Sequence, residues 1–208
     1  VCSERRARSQ RERLREEHDL ESGLEVEFET HYLRFLMPTM RGSNKGSKKR
    51  YAGLVREKNG SSRVVVKGLE AARTDWTPLA RRVQRELFRR VFEGEEYEAW
   101  LLDIARQTRA GVFDEELIYR KRLRRALDDY ERNVPPHVQA ARKLDRPARE
   151  IRYLMTTAGP EPVDLPHAPP DYDHYLDKQL GPASDAILPF LGTDFATIAG
   201  PQLVLFAR

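Results

Sequence analysis

Cysteine is nearly absent from this chain: Cys2 is the single one among 208 residues. A lone thiol cannot close an internal disulfide, which excludes a disulfide-stapled scaffold and fits a reducing cytoplasm. No apolar run approaches the ~18 residues a membrane-crossing helix needs. The opening stretch interleaves Arg5, Arg6, Arg8, Arg11, Arg13 and Arg15 with glutamates and has no apolar core for a signal peptide. No glycine-rich phosphate cradle of either common kind occurs. The five histidines (His18, His31, His137, His167, His174) show no paired metal spacing and no cysteine partner. No metal ligand and no membrane partner is therefore expected here, and nothing supports Cys2 with a histidine as a nucleophilic pair.

Charge, by contrast, is plentiful: 34% of residues are charged and 39% hydrophobic, for a formal net charge of +4. So small an excess does not establish nucleic-acid binding, and the distribution carries more information than the sum. Arg41, Lys45, Lys48, Lys49, Arg50 and Arg56 form a basic stretch that contains no acid. Arg120, Lys121, Arg122, Arg124 and Arg125 form a second. Between Tyr153 and Asp177 the charged residues are all acidic. One basic run alone reads as a solvated face; two separated by an ordered stretch can line one phosphate-binding surface.

Periodicity gives the elements. Residues 3–19 are charged and helix-compatible. Leu24, Val26 and Phe28 alternate with glutamates as in a half-buried strand. Further strands are expected from Tyr32 to Met37, from Arg50 to Val55, and through Val64, Val65 and Val66 after an Asn59-Gly60-Ser61 turn. Thr77 and Pro78 then open a helix carrying Leu79, Val83, Leu87 and Val91, closed by Gly94. Tyr97, Trp100, Leu101, Ile104 and Thr108 mark a second helix, ended by Gly111. Leu123, Leu127 and Tyr130 point to a third, stopped by Pro135-Pro136 before a short helix from His137. Ile151 to Thr157 reads as a short strand, and Tyr172 to Leu191 as a helical end. The fold class is α+β, an antiparallel sheet portion followed by a mostly helical part, with a boundary near residue 75.

Gln202 precedes Leu203, Leu205 and Phe206 at the very end of the chain. An extended peptide of this kind presents apolar side chains and a directional amide to another protein's pocket, or packs on its own domain. It resembles the pentapeptide that bacterial replication proteins insert into the sliding clamp.

Several strings occur together and in order. They are Lys48-Lys49-Arg50-Tyr51-Ala52-Gly53-Leu54, Lys67-Gly68-Leu69-Glu70-Ala71-Ala72-Arg73-Thr74-Asp75-Trp76, and Tyr119-Arg120-Lys121-Arg122-Leu123-Arg124-Arg125. Asn133-Val134-Pro135-Pro136-His137-Val138, Gly159-Pro160-Glu161-Pro162 and Asp171-Tyr172-Asp173-His174-Tyr175-Leu176 follow. Over nearly its whole length the chain resembles the carboxyl-terminal third of family B DNA polymerases, most closely the bacterial polymerase II branch.

The resemblance implies that residues 1–75 are the last part of the palm, 76–200 the thumb, and 201–208 a clamp-binding tail. It places Lys48, Lys49 and Tyr51 beside the primer terminus, with Lys67 and Gly68 on the adjacent hairpin strand. Lysine reaches phosphate or minor-groove acceptors without demanding a sequence, and glycine lets backbone approach a ligand closely. Arg120, Lys121, Arg122 and Arg124, with Tyr130, Asn133 and His137, are implied to close over the product duplex. Glu70, Arg73 and Asp75 read better as a buried ion-pair network than as DNA contacts. The implied partners are primer–template DNA, the sliding clamp and, for the whole enzyme, deoxynucleotides.

The family's two metal-binding carboxylate strings do not occur in this sequence. Gly192-Thr193-Asp194 echoes one of them but has a single aspartate and reads as a helix-capping turn. With Val1 first, the chain is expected to be a piece of a longer bacterial cytoplasmic polymerase, inactive alone, whose Mg is bound by palm carboxylates outside it. The alternative is a stand-alone, non-catalytic DNA-binding protein derived from a palm–thumb piece. Between Arg142 and Ile151 the chain departs from the resemblance: bacterial relatives usually carry a longer, basic loop there, so either this chain is short at that point or residues are absent from the sequence.

Overall fold

The computed structural model describes residues 12–13, 15–17, 29–39, 47, 49–131, 134–145 and 149–200. The chain divides into two compact units, Val1–Tyr32 and Leu33–Arg208. In the first, residues 12–13 and 15–17 are helical, as the charge pattern predicts. The strand expected through Leu24, Val26 and Phe28 lies outside the described residues.

The second unit begins with an antiparallel sheet in the order β1-β2-β3: β1 (Arg34–Leu36), β2 (Tyr51–Arg56) and β3 (Ser62–Lys67). The turn between β2 and β3 closes where expected, with Asn59 Oδ1 accepting the Ser61 amide at 2.9 Å. Leu36 sits opposite Ala52, and Leu54 opposite Val64, so one side of the sheet carries apolar residues into the core. Tyr51 and Lys67 face each other where β2 begins and β3 ends.

A single 3₁₀ turn at Glu70–Ala72 leads into α1 (Pro78–Glu93). Thr77 caps it by accepting the Ala80 amide on Oγ1 at 3.3 Å, and Gly94 ends it in the left-handed region at φ 76°. The buried stripe of Leu79, Val83, Leu87 and Phe88 anchors the core. The second helix, α2 (Glu98–Arg109), follows.

The third helix expected through Leu123, Leu127 and Tyr130 is not formed. Tyr119–Arg122 is instead a strand, β4, and Leu127–Asp129 makes only one 3₁₀ turn. A helix would have stacked Arg120 on Arg124 and Lys121 on Arg125 at the i,i+4 spacing, where like charges repel. The strand alternates them, leaving Arg120 and Arg122 exposed while Tyr119 is buried and Lys121 half-buried. After α3 (Pro136–Ala141), β4 pairs with β5 (Glu150–Thr156), which pairs with β6 (Gly159–Pro162), giving a second antiparallel sheet.

Aromatic rings hold that sheet to the helical end. Tyr119 stacks on Tyr153 at 5.1 Å and on Tyr175 at 5.7 Å, and Tyr175 Oη accepts the Met155 amide at 2.7 Å. The end comprises α4 (Tyr172–Tyr175), a wide turn over Leu176–Leu180, α5 (Gly181–Ser184) and α6 (Phe195–Ala199). Asp194 caps α6 through Oδ1, 2.7 Å from the Thr197 amide, which is the capping role expected of Gly192-Thr193-Asp194. The α+β class therefore holds, sheet first and helices after, with a small second sheet among the helices. No helix among the described residues is long and apolar enough to cross a membrane.

Candidate nucleic-acid interface

The hairpin end gathers its four described basic-string residues. Lys49 is exposed just before β2, Tyr51 opens that strand, and Lys67 lies directly across from Tyr51. Gly68, at φ +64°, turns its α-carbon onto the Lys49 carbonyl, so closely that a Cβ there would lie 2.1 Å from that oxygen. Only glycine permits this approach, and the approach sets Lys67 beside Lys49. The Tyr51 ring packs 5.3 Å from that of Phe35. Lys48 lies outside the described residues.

Arg50 takes no part in this end. Its Nη2 donates to Glu70 Oε1 at 2.6 Å, and Glu70 Oε2 accepts from Gln84 Nε2 at 2.9 Å. Gln84 Oε1 in turn accepts the Ala71 amide at 2.6 Å, and both Glu70 and Gln84 are buried. This network ties the hairpin's root to α1, satisfying a carboxylate that burial would otherwise penalise.

The single network expected of Glu70, Arg73 and Asp75 proves to be two. Arg73 instead forks onto Asp75, donating from Nε at 2.9 Å and from Nη2 at 2.7 Å, with its side chain half-exposed. Lys121 Nζ also donates to Asp75 Oδ2 at 3.3 Å, joining the hairpin's exit to β4. The Arg73 hydrogen bonds hold the Asp75 carboxyl down at about 2, with Lys121 adding to the effect.

Around that junction lies a cleft of about 570 Å³ lined by Thr74, Asp75, Arg120, Lys121, Arg122, Arg124, Tyr130 and His137. The thumb residues expected at the duplex, Asn133 aside, thus share one concavity; Asn133 lies outside the described residues. Tyr130 and His137 meet edge to face at 6.4 Å. Arg142 fixes the intervening loop by donating to the Leu127 and Tyr130 carbonyls, each at 3.0 Å. Partial burial lowers the His137 pKa, and Lys121 lowers it further, favouring the neutral ring.

A neighbouring cleft of about 760 Å³ is lined by Arg122, Arg124, Arg125 and Arg149 together with Leu123, Ala126 and Leu127. Sequence reasoning missed Arg149, because it stands in no basic run. The Leu123 amide donates to its carbonyl at 2.7 Å, and only that pairing brings it in.

Among the described residues, no group of three or more His, Cys, Asp or Glu side chains could hold a metal ion. The described residues therefore do not by themselves fit a metal centre. Gln202, Leu203, Leu205 and Phe206 lie outside the described residues.

The sequence model of DNA polymerase family B matches residues 8–155. The chain is 51% identical over 199 residues to DNA polymerase II of Escherichia coli, covering 90% of this chain and 25% of that protein. It is 30% identical over 203 residues to a DNA polymerase of Methanocaldococcus jannaschii, covering 88% of this chain and 12% of the relative. Among solved structures, the family B DNA polymerase of Pyrobaculum calidifontis matches with a TM-score of 0.60 at 24% identity, over 90% of this chain and 25% of that one. The chain therefore spans a quarter or less of the length of these proteins.

Proposed function

Because the chain belongs to DNA polymerase family B, we propose that it is the part of a DNA-directed DNA polymerase that grips the primer–template duplex. The observation that supports this best is the open cation-lined cleft at β4, together with the hairpin end where Lys49, Tyr51, Lys67 and Gly68 converge. On this reading residues 1–75 complete the palm and 76–200 form the thumb. Lys49 and Lys67 serve the primer end, while Arg120, Arg122, Arg124, Tyr130 and His137 face the product duplex. Lys48 and Asn133 join them on sequence grounds. Flexible cations holding a phosphate backbone give affinity that is blind to base sequence, as a polymerase advancing along any template needs.

Nucleotidyl transfer belongs, on this proposal, to the whole protein, with Mg held by carboxylates outside these 208 residues. Gln202, Leu203, Leu205 and Phe206 are proposed to tether the enzyme to the sliding clamp.

Primer extension by the full-length protein tests the reading. Template-directed incorporation of deoxynucleotides, dependent on Mg, is the expected result. Duplex binding with no incorporation at any Mg concentration would refute the polymerase assignment.

A further inference from the structure

Among the described residues, some arginines are ion-paired and others, Arg81 and Arg85 on α1 among them, are not. Along α1, Arg82 pairs with Glu116 at 2.7 Å, Arg89 with Glu86 at 2.8 Å and Glu95 at 2.6 Å, and Arg90 with Glu86 at 2.9 Å. Among the described residues, Arg120, Arg122, Arg149 and Arg152 have no carboxylate within ion-pairing distance.

The strand register sharpens this contrast. Arg120 lies directly opposite Arg152 across the β4–β5 pair. Both are exposed, and directly opposed like charges on adjacent strands destabilise a sheet. Arg122 has Glu150 across from it, yet no ion pair forms. Arg149, one residue ahead of β5, lines the second cleft beside Arg122. Cations clustered at a cost to the fold, with no internal acid to offset them, suit a surface that meets an external polyanion.

We propose that Arg149 and Arg152, neither of them within a basic run of the sequence, carry the phosphate grip from β4 across onto β5. The inference rests on the duplex-gripping reading above and extends it by a second strand. A guanidinium fork on each strand gives two parallel prongs, and a phosphodiester placed between Arg120 and Arg152 would screen the repulsion that the free protein bears.

The test uses the full-length protein and a primer–template duplex, with Kd measured across a series of salt concentrations. Arg149→Gln and Arg152→Gln are each expected to reduce the log–log salt slope by ~0.9, one phosphate contact apiece. Neither is expected to lower the melting temperature of the free protein, and Arg152→Gln should raise it by relieving the clash with Arg120. Lys49→Gln is the reference variant. If it flattens the slope while either arginine variant leaves it unchanged, that arginine is no contact and the inference fails alone. If all three leave the slope unchanged, the duplex-gripping reading fails and takes the inference with it. A lowered melting temperature in either arginine variant would mark a structural role and overturn the assignment.

Discussion

Asp75 holds two cations at once, the Arg73 fork and the Lys121 ammonium. A Lys121 spent on this carboxylate has less charge to offer a phosphate than its exposed neighbours Arg120 and Arg122. Asp75→Asn is therefore expected to free Lys121 and steepen the salt dependence of duplex binding; an unchanged or shallower slope would show that the pair does not restrain the lysine. The same carboxyl links folding to acid. Its pKa is about 2 in the fold, against an ordinary ~3.9. A depressed carboxylate favours the folded state fully above about pH 4 and loses that contribution as pH falls through about 2. The contribution is about 2–3 kcal/mol at most, reduced by solvent screening at this partly exposed pair. Urea unfolding measured between those pH values should show a shallower acid loss in Asp75→Asn than in the parent. At Gly68 the constraint is steric. Gly68→Ala would drive a methyl into the Lys49 carbonyl and strain a left-handed backbone, at about 1–3 kcal/mol, and the same urea assay reads it.

At the scale of elements, α1 depends on its cap. Thr77→Ala leaves the Ala80 amide without its acceptor and is expected to cost ~1 kcal/mol, read as a lower midpoint with an unchanged denaturant slope. That helix was legible in the sequence because cap, N1 proline, apolar stripe and terminal glycine all agree. The β2–β3 hairpin was legible for a similar reason, since Asn59-Gly60-Ser61 leads into the β-branched run Val64-Val65-Val66. The segment after α2 was not. Leu123 and Leu127 keep a helical spacing, but β4 is decided by partners distant in sequence, Tyr153 across the strand pair and Tyr175 from the helical end. The candidate site divided the same way. Its basic strings were visible as strings, whereas the withdrawal of Arg50 into the Glu70–Gln84 network and the arrival of Arg149 depend on contacts no local pattern encodes.

For the whole molecule, duplex grip and clamp tethering are separable. Deleting residues 202–206 from the full-length protein should abolish clamp-stimulated processivity while leaving clamp-free synthesis intact. Equal loss in both assays would mean that these residues support the fold. Grip itself is read out by one binding series. Kd for two primer–template duplexes of unrelated sequence is measured from low to high salt, with the full-length parent and a Lys49→Ala/Lys67→Ala double variant. The double variant is expected to bind both duplexes more weakly by the same factor, with a log–log slope smaller by ~1.8. An unchanged slope, or weakening confined to one sequence, would contradict duplex grip.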